Sequence, residues 1–119
     1  MKAFAEHYYR IFDNNRSSLN TIYQPQSILT WEGKVFQGQQ AICTYINELP
    51  FQKVERKIQS IDSQPTIIPN FQPGVLVTIT GTLVIDGEPK PLKYVQVFNL
   101  LPNQGSYLLL NDFFRFSLD

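Results

Sequence analysis

The start of the chain carries two segments whose apolar side chains recur at helical spacing. In the first segment they fall at i, i+4, i+7 and i+8, namely Phe4, Tyr8, Ile11 and Phe12. This spacing predicts a helix over roughly residues 2–12 with one buried face. A polar turn at Asp13–Ser17 follows, after which helical spacing resumes and predicts a second helix that ends before Pro25. The apolar residues of this second helix are Leu19, Ile22 and Tyr23.

A hairpin and a third helix come next. Residues Ile28–Phe36 are rich in β-branched and aromatic side chains, and the pair Glu32-Gly33 in their middle is typical of a tight turn between two strands. Beyond Gly38, apolar residues again recur at helical spacing, at Ile42, Tyr45, Ile46 and Leu49. They predict a helix that Pro50 ends.

The rest of the chain has the pattern of β-strands. Four strand-like runs are Val54–Ile61, Val75–Ile85, Leu92–Leu101 and Tyr107–Phe116. The turn clusters between them are Ser63–Gly74, Asp86–Pro89 and Pro102–Gly105. This alternation predicts a four-stranded antiparallel meander, and Gly81 inside the second run indicates a bulge that bends its strand.

The order of these elements, helices first and strands last, predicts an α+β fold in one domain, residues 1–119. A curved antiparallel sheet would wrap around the three N-terminal helices as a cone with an open mouth, and the chain's surplus of aromatic side chains would line the cavity. The strands Val75–Val84 and Tyr94–Leu101 are broadly apolar, so one sheet face would stay uncovered. We therefore expect a homodimer.

Composition excludes several classes of function. Ten Lys and Arg balance ten Asp and Glu, so the chain lacks the positive charge with which proteins bind nucleic-acid backbones. Cys43 and His7 are the only residues of their types, which excludes an internal disulfide and a His/Cys metal cluster and favours an intracellular setting. Apolar runs are too short for a signal peptide or a membrane span. We expect no nucleic acid, no membrane insertion and no cofactor.

Catalysis has few candidate residues. His7 lies off the apolar face of the first helix and Cys43 has no neighbouring base, so neither favours catalysis. An enzyme with a cone-shaped fold would need a buried carboxylate with hydroxyl donors, and the candidates are Asp13, Asp62, Asp112 and Tyr8. These acids stand in turn-like strings or beside a strand with a charged exposed face, where structural roles are expected. An isomerase or dehydratase acting on a small hydrophobic molecule remains the enzymatic alternative.

A different set of acids stands at two turns: Glu32, Asp86 and Glu88. Acidic turns are commonly only solvated. Trp31 beside Glu32, however, places an aromatic ring next to a charge, which is typical of a protein-binding anchor. At a hairpin tip the Glu32 carboxylate has no evident structural use, so we expect it to serve a partner.

Six strings of residues extend this argument over the whole chain: His7-Tyr8-Tyr9 with Phe12–Ser17, Leu29–Gly33, Phe36–Gly38, Leu49–Lys53, Asp62–Pro65 and Asn111–Arg115. In this order and at these intervals they resemble the nuclear transport factor 2 family. The resemblance implies a non-enzymatic, homodimeric carrier that binds the GDP form of the GTPase Ran and nucleoporins with Phe-rich repeats. It implies localisation to the cytoplasm, the nucleus and the nuclear pore. A dimerising domain of an RNA-export or stress-granule protein is an alternative within binding proteins.

The resemblance also implies the site residues. An aromatic side chain from Ran's switch region would enter the cavity, whose matching positions are Trp31, Leu49, Phe51 and Phe114. Acids at the rim would pair with flanking basic residues of Ran, and the matching acids are Glu32, Asp86 and Glu88.

Two departures from the family pattern affect these expectations. Arg56 stands where some members have a histidine, which places a positive charge near the cavity. The family's N-terminal helix begins earlier and carries an aromatic anchor for nucleoporins. Phe4 and Phe113 are the expected substitutes for that anchor.

Overall fold

The computed structural model describes residues 1–67 and 69–117. Its elements are α1 (Lys2–Asn14), a 3₁₀ helix (Arg16–Thr21), β1 (Tyr23–Trp31), β2 (Lys34–Gln37), α2 (Gln39–Asn47), β3 (Val54–Thr66), β4 (Gly74–Ile85), β5 (Leu92–Asn103) and β6 (Ser106–Ser117). Within these residues, six strands form one sheet in the order β2-β1-β6-β5-β4-β3. The predicted α+β class is confirmed. The helices in this part of the chain are too short or too polar to cross a membrane.

The sheet is mixed rather than purely antiparallel. Strands β3 to β6 form the predicted meander, and β1 and β2 form the predicted hairpin. In addition β1 pairs in parallel with β6, with Leu29 opposite Asp112 and Trp31 opposite Phe114. This unpredicted pairing joins the hairpin and the meander into one continuous sheet.

Two boundaries differ from the predictions by more than two residues, and others, such as the end of β5 at Asn103 within the predicted turn Pro102–Gly105, differ by less. Tyr23 begins β1 instead of extending a helix, because its fully buried hydroxyl binds Asp112 in the core and this tertiary contact outweighs the local spacing. Residues 63–66, predicted as turn, continue β3 and pair with β4. Pro65 is compatible with this strand because β3 forms an edge of the sheet in the described part. Residues 68, 118 and 119, which belong to the predicted turn Ser63–Gly74 and the predicted domain 1–119, lie outside the described residues.

The bulge predicted in the strand of Gly81 lies instead in the neighbouring strand β3, opposite Gly81. The register between β3 and β4 shifts between Ile58 and Ser60, which pair with Gly81 and Thr80, so the extra residue belongs to β3. A Cβ on Gly81 would stand 2.3 Å from the Lys57 carbonyl oxygen and 2.9 Å from the Tyr94 ring. Glycine therefore permits the close approach of the strands and of this ring.

The face of the sheet that packs on α1 and α2, called the inner face below, is covered by buried aromatic rings. They are Tyr8, Tyr9, Phe12, Tyr23, Trp31, Tyr94, Phe98 and Phe114. The ring centroids of Trp31 lie 6.0 Å from Phe12 and 4.1 Å from Phe114, which in turn lies 5.5 Å from Tyr94. The aromatic surplus thus forms the core of the cone, and it does not stand open to solvent as a cavity lining. Burial of these large rings stabilises the fold.

Candidate partner-binding site

Two of the predicted rim acids stand in left-handed turns. Glu32 and Asp86 have φ angles of 51° and 50°, and each is followed by a glycine with positive φ, Gly33 at 85° and Gly87 at 74°. Two successive residues with positive φ are typical of tight hairpin turns, in which glycine is favoured at the second position. The turns predicted at both places are confirmed.

The Glu32 carboxylate is tied to the last strand. Its Oε1 accepts a hydrogen bond from the backbone N–H of Phe116, and the backbone N–H of Glu32 donates to the Phe114 carbonyl at 2.9 Å. The expectation that this carboxylate has no structural use was wrong. One oxygen fixes the acid against β6, and within the described residues the other oxygen, Oε2, accepts no side-chain or backbone hydrogen bond.

Asp86 is tied in the same manner to the loop after α2. Its Oδ1 accepts from the backbone N–H groups of Gln52 at 3.0 Å and Lys53 at 2.7 Å, and its own N–H donates to the Lys53 carbonyl at 2.8 Å. These bonds hold Phe51, the preceding residue, with its ring centroid 6.5 Å from Trp31. The acid is exposed, yet its position is fixed by backbone donors.

The predicted residues converge on one end of the cone, called the mouth below. Trp31 and Phe114 form its floor at 5% and 3% exposure. Leu49 and Phe51 are half-buried and pack on the core, and Glu88 is exposed beside Asp86. Trp31 is therefore a core residue at the end of β1, and it does not project from a hairpin tip. The result is an apolar surface flanked by two carboxylates, those of Glu32 and Asp86, that backbone N–H groups hold in position.

The two residues expected to receive nucleoporins do not come together in one chain. Phe4 is half-buried on α1, with its ring centroid 5.5 Å from Phe98 on the inner face. Phe113 follows the inward-facing Asp112 and points to the opposite face of the sheet, where it is 52% exposed. The sheet stands between them.

Sequence analysis missed a buried ion pair beside the core. Arg56 donates from Nε and Nη2 to the two carboxylate oxygens of Asp13, at 3.0 and 2.9 Å, and the two side chains are only 6% and 13% exposed. The guanidinium lies 3.8 Å from the Tyr9 ring centroid. Burial alone would lower the pKa of Arg56, but the hydrogen bonds and charge of Asp13 raise it overall. Asp13, expected to cap a turn, is instead the counter-ion of Arg56. The alternation of Val54, Arg56 and Ile58 along β3, which places Arg56 on the inward face, is the signal that could have revealed the pair.

A second buried cluster surrounds Asp112, which lies within β6 as the strand prediction Tyr107–Phe116 implies, although its local string was interpreted as turn-like. Its carboxyl accepts from the Tyr23 hydroxyl at 2.5 Å, the Tyr8 hydroxyl at 3.3 Å and Gln96 Nε2 at 2.9 Å. Burial raises the pKa of Asp112 to about 6, although these donors oppose the shift. The cluster contains a carboxyl and hydroxyls, as an isomerase would need, but Asp112, Tyr8 and Tyr23 are packed within the core. A substrate reaches them only if the core opens.

The remaining candidates for catalysis have ordinary surroundings. His7 and Asp62 are exposed on α1 and β3. Cys43 is half-buried, and burial raises the pKa of its thiol, which leaves less reactive thiolate at neutral pH.

The helices and the six-stranded sheet define a cone-shaped α+β protein. The family model described as the nuclear transport factor 2 (NTF2) domain matches residues 1–116. The chain belongs to the nuclear transport factor 2 family.

Named relatives agree with this assignment. Nuclear transport factor 2 of Dictyostelium discoideum is 60% identical over 119 residues, which cover 99% of this chain and 91% of the relative. That of Schizosaccharomyces pombe is 42% identical, covering 94% of this chain and 89% of the relative. The solved structure of nuclear transport factor 2 from Cryptosporidium parvum superposes with a TM-score of 0.86 at 42% identity, covering 98% of this chain and 90% of that chain. The relatives are transport carriers rather than enzymes, and so is this protein.

Proposed function

We propose that this single-domain protein carries Ran in its GDP form into the nucleus. One observation supports the proposal most directly: Glu32 and Asp86, at the two turns beside the mouth, each use one carboxylate oxygen to bind backbone N–H groups. Their orientation is therefore set before a partner arrives, which lowers the entropy cost of binding. An aromatic side chain of Ran would pack against the mouth at Phe51 and Leu49, while the carboxylates and Glu88 would pair with basic residues beside it.

Capture of Ran by the immobilised protein tests this function. We expect Ran loaded with GDP to be retained and Ran loaded with a GTP analogue to pass through. Asp62→Lys, which reverses an exposed acid on β3 away from the mouth, should retain GDP-loaded Ran like the parent. Failure of the parent to retain GDP-loaded Ran, or equal retention of both nucleotide forms, would contradict the proposal.

We propose further that the outer face of the sheet forms a homodimer interface. This face, opposite the helices, carries a cavity of about 510 Å³ lined in part by Thr30, Val95, Val97 and Phe113. Val95 and Phe113 are 38% and 52% exposed. A second copy of the same face would bury these apolar side chains by two-fold pairing.

Disruption of this face is expected to give monomers. Phe113→Glu places a charge in the apolar interface, so light scattering should fall from about twice 13.8 kDa for the parent to the mass of one chain. Phe71→Glu is the matched control, because Phe71 is 72% exposed in the loop after β3 and not on the sheet face. A parent that is monomeric at micromolar concentration, or a Phe113→Glu variant that stays dimeric, contradicts the proposed interface.

Nucleoporins with Phe-rich repeats are the second proposed partner class, met in the cytoplasm, the nucleus and the pore. A slot for a phenylalanine ring needs flat apolar walls, and Phe113 offers such a wall on the outer face, where two subunits would meet. Phe4 is half-buried on the helical side and contributes to this slot only if the two subunits bring it there.

A further inference from the structure

Arg16, the first residue of the 3₁₀ helix, has surroundings unlike those of Arg56. Its Nη2 donates to the backbone carbonyl of Phe51, and its guanidinium carbon lies 5.9 Å from the Phe12 ring centroid. The ion pairs found within residues 1–67 and 69–117 do not include it. Its Nη1 is buried and has no hydrogen-bond partner in that part of the chain, which is also true of Nη1 of Arg56, so the missing carboxylate is what separates the two arginines.

An arginine in these surroundings is not explained by stability alone. A buried donor without a partner lowers the stability of the fold, and a cation without a nearby carboxylate gains little from its charge. Groups that break the rules of burial in this way commonly mark functional positions. The hydrogen bond that Arg16 makes indicates a role in the partner-binding site, because its acceptor is the carbonyl of Phe51 at the mouth.

The loop that carries Phe51 is held from two sides. Arg16 binds the carbonyl of Phe51, while Asp86 binds the N–H groups of Gln52 and Lys53. Consecutive peptide groups of one loop therefore bind side chains from the 3₁₀ helix and from the β4–β5 turn. Arg16 also touches Phe12, whose ring stacks on Trp31, so the same side chain contacts two of Trp31's aromatic neighbours.

We propose that Arg16 is a positioning residue of the partner-binding site, which holds Phe51 beside Trp31 where an entering aromatic side chain meets it. The effect on Ran affinity rests on the proposed function, whereas the claim that Arg16 holds the Phe51 loop can be tested without Ran. Arg16 acts on affinity through Phe51: with the loop fixed, less conformational freedom is lost on binding. It does not act by pairing with a charge of the partner.

The first test uses the free protein. Trp31 is the only tryptophan, so its emission reports on the loop that covers it. Arg16→Met keeps an apolar chain but loses the donor, and we expect acrylamide to quench Trp31 about twice as effectively in this variant because the loop opens more often. Arg16→Lys keeps a donor and should restore part of the protection. Arg10→Met, an exposed arginine on α1, is the matched control and should quench like the parent.

The second test is a double-mutant cycle with GDP-loaded Ran, measured by calorimetric titration. Arg16→Met should weaken binding about fivefold, which is ~1 kcal/mol. In a Phe51→Ala background the same change should have no further effect, because the ring to be positioned is gone. A general structural role would instead weaken binding equally in both backgrounds.

Three results decide between the explanations. Unchanged quenching in Arg16→Met, or an equal loss of affinity in both backgrounds, overturns the positioning role. A parent that does not bind GDP-loaded Ran refutes the proposed function, while the quenching result still decides whether Arg16 holds the loop. If Arg16→Met does not fold, Arg16→Lys is compared with the parent instead: we expect quenching between that of the parent and about twice that of the parent, and quenching equal to that of the parent overturns the positioning role.

Discussion

Replacement of Asp13 by alanine is expected to lower the free energy of unfolding by ~3–5 kcal/mol, because it leaves a buried charge without its counter-ion. The charge is that of Arg56, which is 6% exposed, lies over the Tyr9 ring and donates hydrogen bonds to both carboxylate oxygens of Asp13. Since a domain is stable by only ~5–15 kcal/mol, this change removes a large share of the total. Urea denaturation at neutral pH measures the loss.

Matched variants separate the ion pair from the loss of side-chain volume. Asp62→Ala removes an exposed acid and should change the unfolding free energy by no more than about 0.5 kcal/mol. The double variant Asp13→Leu with Arg56→Met should recover most of the stability, because an apolar pair commonly replaces a buried ion pair at little cost. A loss below ~1 kcal/mol for Asp13→Ala would mean that Arg56 finds water or another acceptor in the folded protein.

Reversal of the charge at Glu32 should give the largest loss of partner affinity. Removing one member of an interfacial charge pair costs ~2–5 kcal/mol, and a lysine adds repulsion, so binding of GDP-loaded Ran should weaken at least ~30-fold in Glu32→Lys. Asp86→Lys should have the same effect, smaller if Glu88 takes over its basic partner. Calorimetric titration with GDP-loaded Ran measures the affinity, and a thermal melt measures the fold.

The backbone bond of Glu32 makes a second variant necessary. Glu32→Lys also loses the acceptor for the Phe116 N–H, which lowers stability by ~1 kcal/mol. Glu32→Gln keeps an acceptor oxygen and removes the charge. It should therefore melt like the parent, and its affinity for GDP-loaded Ran should be lower than that of the parent. If Glu32→Lys is folded and binds GDP-loaded Ran with parental affinity, the rim acids do not have the role proposed for them.

The local elements of this fold were predictable because their signals are local. The spacing of Phe4, Tyr8, Ile11 and Phe12 defines α1, and Glu32-Gly33 defines the hairpin turn. Tyr23 shows the limit of this reasoning. Its spacing predicted a helix, but a buried hydrogen bond to Asp112, far along the chain, places it in a strand. The parallel pairing of β1 with β6 was missed for the same reason, because no short pattern specifies a distant partner strand.

The residues proposed for the candidate site came from the sequence, whereas the hydrogen bonds that hold them did not. The acids at the two turns and the aromatic strings pointed to the mouth, whereas the bonds that fix the acids reach to Phe116 and to the Phe51 loop, far away in sequence. Trp31 was interpreted as an exposed anchor because it precedes a charge. In a strand, however, neighbouring side chains point in opposite directions, and Trp31 faces the core.

The pairing of β1 with β6 also constrains when the protein can fold during its synthesis. Leu29 pairs with Asp112 across the two strands, and the Glu32 carboxylate accepts a hydrogen bond from the Phe116 N–H. The N-terminal hairpin can therefore pair with the rest of the sheet only after β6 has left the ribosome. Until then the hairpin is separate from the meander, and α1 packs only on the part of the sheet that β3 to β5 supply. Contacts between such distant residues slow folding, and exposed apolar surface favours aggregation and chaperone binding. Assembly of this domain therefore requires that β6 has been synthesised, and a nascent chain that stalls before β6 cannot form the mouth.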